Sequence, residues 1–295
     1  MVSDPLIGRQ LANFRVERPI GRGGMAQVYY GRDVKLNRPV AIKVLDARYR
    51  GQPAYAHRFV QEARAVAQWR HEHIIQIHYA DDDDDLYYFV MEYIDGQDLA
   101  TLLESYTSHD ELMPHADVAR IGQAIASALD YAHAQSVIHR DVKPANVMIA
   151  RDGRVILTDF GLALDAQQGS LGEVFGSPHY ISPEQARRSA DAVPQSDLYS
   201  LGIILYEMLT GGAPFNDPSP TSLALQHLTL APPAPRARNP ELNAKTEAVL
   251  LKALSKKPTD RYATGQELIE ALEGALKSRA VKSRPPKAAE AKAPL

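Results

Sequence analysis

Two side chains that present hard oxygen atoms, Asn146 and Asp159, bound the stretch NVMIARDGRVILTD, with Asp152-Gly153 near its middle. An Asp-Gly pair between apolar runs is a strong signal for a two-residue hairpin turn. With that turn, the ladder places Asn146 opposite Asp159. An amide oxygen beside a carboxylate suits Mg2+, which takes oxygen ligands. Just upstream, Asp141 and Lys143 stand on what must be a loop, because Pro144 blocks helix and ladder bonding alike.

The run HRDVKPAN at 139–146, followed by Asp159-Phe160-Gly161, resembles the catalytic and metal-binding loops of eukaryotic-like protein kinases. A Gly-rich GRGGMAQV at 21–28 and Val40-Ala41-Ile42-Lys43 stand upstream at the family's order and spacing, so the resemblance covers roughly residues 12–275. The GGM wording is similar to that of bacterial members, and Lys143 within HRDVKPAN follows the serine/threonine pattern. The resemblance implies an α+β, two-lobed fold: an N-lobe with an antiparallel five-stranded sheet plus one helix, and a mostly α-helical C-lobe. It also implies transfer of the ATP γ-phosphate to Ser/Thr hydroxyls of proteins, with autophosphorylation and a signalling role.

Carried over by resemblance, Asp141 is the base for the substrate hydroxyl and Lys143 the cation beside the transferring phosphate. Asn146 and Asp159 become the ligands of Mg2+, with Mn2+ as an alternative ion. Phosphoryl transfer has a loose, highly charged transition state, so positioning and positive charge do most of the work. Gly21, Gly23 and Gly24 let backbone approach the phosphates, while Ile20, Val28 and Ala41 line the adenine side. The family's third glycine is Ala26 here, one added methyl that binding should survive. Lys43 ends an apolar strand, where an unpaired ammonium is costly, so its expected partners are the phosphates and Glu62. Met91 is expected at the back of the pocket and Met148 at its floor. Backbone groups of Glu92 and Ile94 are expected on the adenine edge, and Asp98 on the ribose.

The scaffold follows the same resemblance. Glu184, in Ser182-Pro183-Glu184, is expected to pair with Arg261, and Asp197 to anchor the catalytic-loop backbone. His139 reads as a packed structural histidine. Ser177 is expected to contact Asp141 and Lys143. Arg140 beside Asp141 implies a negative partner on the activation segment, where Ser170 is the one hydroxyl between Gly161 and Gly176. Glu173 would supply part of that charge without phosphorylation. A catalytically silent scaffold finds no support, since Lys43, Glu62, Asp141, Asn146 and Asp159 are all present. A small-molecule phosphotransferase finds none either, since Lys143, Ser177 and Ser182-Pro183-Glu184 are features that dock a polypeptide.

These groups need elements to hold them. Phe14–Ile20, Gln27–Arg32, Pro39–Leu45, Ile74–Tyr79 and Leu86–Ile94 read as strands, and Asp81–Asp85 as a solvated acidic turn lacking calcium-loop spacing. A helix is expected over Ala54–Gln68. Further on, Val118, Ile121, Ile125, Leu129 and Ala132 share one helical face, and Asp197–Thr210 is apolar nearly all round, stopping at Gly211-Gly212. Thr264 and Glu267 form a capping-box pattern before the last helix. The expected division is an N-lobe at 1–95, a C-lobe at 96–276 and a basic, disordered tail at 277–295.

The totals narrow the partners. A net charge of -3 gives no electrostatic case for nucleic acid. The absence of cysteine excludes disulfides, thiolate zinc sites and a cysteine nucleophile. His71, His73 and His78 read as packing residues, not a metal site. No secretory signal is evident, and the apolar run Leu198–Leu209 is shorter than the about 20 residues a bilayer needs. The expected location is cytoplasmic, with a membrane link only if a longer chain continues past residue 295. A homodimer through the N-lobe is what similarity to bacterial members implies.

Overall fold

Apolar residues that alternate along 38–45 send successive side chains to opposite faces of a strand. The computed structural model describes residues 4–50, 56, 59–60, 63–64, 66–83, 86–160 and 178–278. In it this stretch is β4 (Arg38–Leu45). Val40, Ile42 and Val44 enter one buried cluster with Phe14, Tyr29 and Tyr88. Ala41 and Leu45 enter the main core on the other face. The same alternation puts Lys43 on the Ala41 face.

β4 lies inside a six-stranded antiparallel sheet of order β1-β2-β3-β4-β6-β5. The others are β1 (Gln10–Leu11), β2 (Phe14–Arg22), β3 (Ala26–Asp33), β5 (Ile77–Asp83) and β6 (Leu86–Glu92). All five expected strands are there. The sixth, β1, is two residues long and too short to show a period. β5 starts at Ile77, because Ile74 forms a parallel bridge to Leu157 instead. The strand then runs into the acidic stretch expected as a turn: Asp83 meets Arg9 at 2.8 Å and Asp81 accepts the Tyr79 hydroxyl at 2.7 Å. One short helix, α1 (Ala47–Arg50), precedes the expected helix α2, whose described residues lie between 56 and 67. Phe59 of α2 packs on Phe89 of β6 with ring centroids 5.0 Å apart.

The second lobe opens with β7 (Gly96–Asp98), which joins β8 (Val147–Ala150) and β9 (Val155–Leu157) in a small sheet. Its helices are α3 (Leu99–Ser108), α4 (His115–Ala134), α5 (Pro183–Arg187), α6 (Pro194–Thr210), α7 (Pro220–Thr229), α8 (Pro235–Arg238), α9 (Ala244–Ala253) and α10 (Gly265–Lys277). The expected α4 face is buried, and α4 packs against α6 and α10. α6 is buried nearly all round and ends where Gly211 turns left-handed at φ 80°. The capping box at α10 is half formed. Thr264 accepts the Glu267 N–H, but the Glu267 carboxylate reaches past it to the Ala263 N–H at 3.0 Å. Lys277, read as the first tail residue, is the last residue of α10 and pairs with Glu273 at 3.1 Å. Residues 279–295 lie outside the described residues.

The hairpin register differs from the expected one by a residue. β8 and β9 pair Val147 with Leu157, Met148 with Ile156 and Ile149 with Val155. The turn holds three residues, Arg151, Asp152 and Gly153, with Gly153 left-handed at φ 91° and its N–H on the Ala150 carbonyl. Asn146 therefore faces Thr158, whose N–H donates to the Asn146 carbonyl at 2.8 Å. Asp159 lies past the ladder with φ 58° and is not Asn146's cross-strand partner.

Candidate active site

The backbone at the start of the 139–146 loop hangs from one buried carboxylate. Asp197, in the first turn of α6, accepts the N–H of His139 through Oδ2 and of Arg140 through Oδ1, both at 2.8 Å. His133 of α4 reaches the same Oδ2 at 2.7 Å. With its neighbours so held, Arg140 takes φ 67°, a conformation uncommon outside glycine that surrounding contacts must impose. Its carbonyl accepts the Gln185 side-chain amide at 2.9 Å, tying α5 to the loop.

His139 is fully buried, and burial pushes its pKa down. Its Nδ1 accepts the Asp141 N–H at 3.3 Å, and its Nε2 lies 3.0 Å from the Thr158 carbonyl. Those partners fit a neutral ring protonated at Nε2. This is the structural role expected of it.

Asp141 and Lys143 form an ion pair at the site. Lys143 Nζ is 2.7 Å from Asp141 Oδ2, and both side chains are about one-quarter exposed or less. The Asn146 amide donates to Asp141 Oδ2 at 3.1 Å and to the Asp141 carbonyl at 2.8 Å. Asp141 is thereby fixed through Oδ2, and Oδ1 takes none of these bonds. Asn146, its N–H groups spent on Asp141, is left with its oxygen to offer. Asp159 Oδ1 meets Lys43 Nζ at 3.0 Å. Burial pushes the Asp159 carboxyl up, but the Lys43 ammonium outweighs it and holds the carboxyl below its ordinary range. Next to it, Phe160 is buried between the His139 ring at 4.5 Å and the Trp69 ring at 5.2 Å.

The donor set left over is hard oxygen from Asn146 and Asp159, which suits Mg2+. Among the described residues no group of three His, Cys, Asp or Glu side chains could hold a metal. Mg2+ typically takes one or two carboxylates and completes its shell with water and substrate phosphates, so two protein ligands fit such a site. His71 and His73 are engaged elsewhere, near Ser127 Oγ at 3.2 Å and the Val155 carbonyl at 2.9 Å.

The sheet brings together residues expected on the adenine side. Ala41 pairs with Met91 across β4–β6, Val28 with Lys43 across β3–β4, and Gly21 with Val28 across β2–β3. Ile20 falls at the β2 irregularity between Pro19 and Gly21 and is 40% exposed. Met91 and Ile94 are buried and Met148 is half-buried, facing Asp98 across β7–β8. Two expectations are narrowed. The Glu92 N–H is taken by the Gln76 carbonyl at 2.9 Å, so Glu92 has only its carbonyl to offer a ligand. Asp98 caps α3, accepting the Thr101 N–H at 2.8 Å through Oδ1.

Gly23 and Gly24 form the turn between β2 and β3, where the Gly23 N–H donates to the Ala26 carbonyl at 2.8 Å. Glu62, Gly161, Ser170, Glu173, Gly176 and Ser177 lie outside the described residues. Behind the site, Arg261 grips Glu184 bidentately at 2.7 and 2.8 Å, as expected. His133, Gln185 and the Arg154–Glu92 bridge at 2.9 Å carry no motif signal and emerge only in three dimensions.

Residues 14–272 match the protein kinase domain family. The chain is similar to serine/threonine-protein kinase PrkC of Bacillus subtilis, with 39% identity over 267 residues, covering 89% of this chain and 40% of that protein. It is similar to serine/threonine-protein kinase PknB of Mycobacterium tuberculosis, with 41% identity covering 84% of this chain and 40% of that protein. The chain thus spans about two-fifths of the length of these curated relatives. Among solved structures, the PknI kinase domain of Mycobacterium tuberculosis superposes with a TM-score of 0.72 at 29% identity, covering 91% of this chain and 98% of that one.

Proposed function

This chain belongs to the protein kinase domain family, and from that membership we propose that it transfers the γ-phosphate of ATP to serine or threonine hydroxyls of proteins. The observation that carries the reading is Asp141, locked through Oδ2 by Lys143 and Asn146 with Oδ1 outside that lock. In the proposed step the substrate hydroxyl oxygen attacks the γ-phosphorus and the bond to the β–γ bridging oxygen breaks. The hydroxyl proton passes to Asp141 Oδ1. Lys143 sits where its charge steadies the transferring group, and Lys43 faces the remaining phosphates. Asn146 Oδ1 and Asp159 are the proposed ligands of Mg2+, which when bound neutralises charge on the phosphate oxygens.

Adenine is placed between Val28, Ala41 and Ile20 above and Met148 below, against Met91, with the Glu92 carbonyl and the Ile94 backbone at its edge. Asp98 has one oxygen beyond its cap for the ribose, and Gly21, Gly23 and Gly24 approach the phosphates. Glu62 is the proposed second partner of Lys43, and Ser177 the proposed contact of Asp141 and Lys143. The ATP-binding lobe is placed at 1–95 and the substrate-docking lobe from 96 to the end of α10. PrkC and PknB are serine/threonine-protein kinases, which supports the serine/threonine choice; autophosphorylation and a signalling role belong to the same proposal. Among the described residues no helix is long and apolar enough to cross a membrane. A cytoplasmic domain, dimeric through its N-lobe or joined to a membrane segment in a longer chain, accords with the kinase reading.

Incubation with γ-labelled ATP and Mg2+ tests the function: label is expected on the chain and on a generic basic protein, and label on neither would overturn it. Asp159→Asn is expected to raise the Mg2+ concentration for half-maximal transfer by at least the about 10–100-fold that loss of an outer-shell partner of a metal ligand costs. An unchanged Mg2+ requirement would remove Asp159 from the metal site.

A further inference from the structure

The turn between β2 and β3 is held from outside by two residues that follow β4. The Asp46 N–H donates to the Met25 carbonyl at 2.9 Å. The Arg48 guanidinium donates to the Gly24 carbonyl at 3.3 Å. Arg48 also clasps the Asp46 carboxylate through Nε and Nη2, each at 3.0 Å, and Arg22, the last residue of β2, reaches the same carboxylate at 3.1 Å. Asp46 is only 9% exposed at its side chain although both arginines lie largely in solvent. Hydrogen bonds from Arg48 hold the Asp46 carboxyl well below the usual carboxylate range, so the cluster stays charged at neutral pH.

A trans peptide is planar, with its carbonyl and the next N–H pointing opposite ways. Pinning the Gly24 and Met25 carbonyls toward Asp46 and Arg48 therefore turns the Met25 and Ala26 N–H groups to the other side of the turn. Two aligned backbone donors of this kind make an anion-binding concavity. An added Cβ at Gly24 would meet no described residue within 4 Å, so packing among the described residues does not hold that point of the turn.

We propose that Asp46 and Arg48 are positioning residues for nucleotide phosphates, holding the glycine turn in the shape that presents the Met25 and Ala26 N–H groups to them. This rests on the kinase reading above and assigns its phosphate grip a support outside the glycine motif. Removing either residue leaves the adenine side intact but makes each binding event order the turn anew.

The test is calorimetric titration of wild type, Arg48→Ala, Asp46→Asn and Arg48→Lys with a non-hydrolysable ATP analogue and with adenosine, both with Mg2+. Arg48→Ala and Asp46→Asn are expected to bind the analogue about five- to tenfold more weakly, the scale of one ordinary net hydrogen bond. Adenosine affinity is expected not to change. Arg48→Lys should recover part of the loss, since an ammonium can serve Asp46 or Gly24 but lacks the fork that serves both. Equal losses for both ligands, or none for the analogue, would overturn the proposal while the kinase reading stands. A wild type that binds neither ligand overturns both.

Discussion

Asp141→Asn is expected to lower phosphoryl transfer by about 10²–10⁴-fold, the range for losing a positioned proton acceptor, while ATP affinity stays nearly unchanged. The substitution keeps the shape of the side chain and leaves an oxygen for Lys143, whose Nζ lies 2.7 Å from Asp141 Oδ2 in the wild type. What it removes is the charge and basicity of Oδ1, which no residue of the lock uses. The loss should therefore fall on kcat and not on the KM for ATP. Steady-state transfer measured with γ-labelled ATP checks this. A KM effect without a kcat effect would assign Asp141 to nucleotide binding instead.

Arg261→Met is expected to destabilise the fold by about 3–5 kcal/mol, because it leaves the buried Glu184 carboxylate without its cation. Arg261 has no exposed side-chain surface and Glu184 only 9%. Beyond Glu184, the guanidinium donates to the carbonyls of Ser255, Gln195 and Lys256 and lies 4.8 Å from the Tyr199 ring centroid. At this chain length the loss should lower Tm by roughly 10 °C.

The pH dependence has a definite sign. Burial pushes the Glu184 carboxyl up, but the Arg261 bonds outweigh it and bring the pKa below the ordinary value. A folded value below the unfolded one, about 4.3 for Glu, gives stability that is fully present above that pH. It is lost as pH falls through the folded value. Without Arg261 the buried carboxyl loses its main lowering influence, and only the Ser196 hydroxyl and a backbone hydrogen bond still oppose burial. The gap between wild type and Arg261→Met should thus be widest near neutral pH and narrow below about pH 4. Thermal melts at both pH values check this, and an equal gap at both would mean that lost packing, not charge, is responsible.

The site was legible wherever chemistry and spacing lie close together in the chain. Asp141, Lys143 and Asn146 sit within one loop, and Pro144 keeps that loop from becoming helix. The strand that carries Lys43 shows its own period. Register was less legible, because Asp152-Gly153 is compatible with two turn lengths. Here Asp152 accepts the Arg154 N–H and Nε, at 3.0 and 2.8 Å, which draws Arg151 into the loop and shifts the ladder by one. That shift moves Asp159 out of the hairpin and toward Lys43.

Other parts were invisible for a different reason. His133 lies far from Asp197 in the chain and is one polar residue on an otherwise ordinary amphipathic helix. The acidic stretch at 81–83 is solvated as expected, but nothing local shows that Arg9, from the first turn of chain, lies against Asp83. Long-range pairs of this kind leave no local pattern.

The most direct measurement is phosphosite mass spectrometry of the purified chain after incubation with ATP and Mg2+, wild type beside Asp141→Asn. Phosphoserine or phosphothreonine in the wild type and neither in the variant is the expected result. Equal phosphorylation of the two would contradict the role given to Asp141, and none in either would contradict the transfer itself.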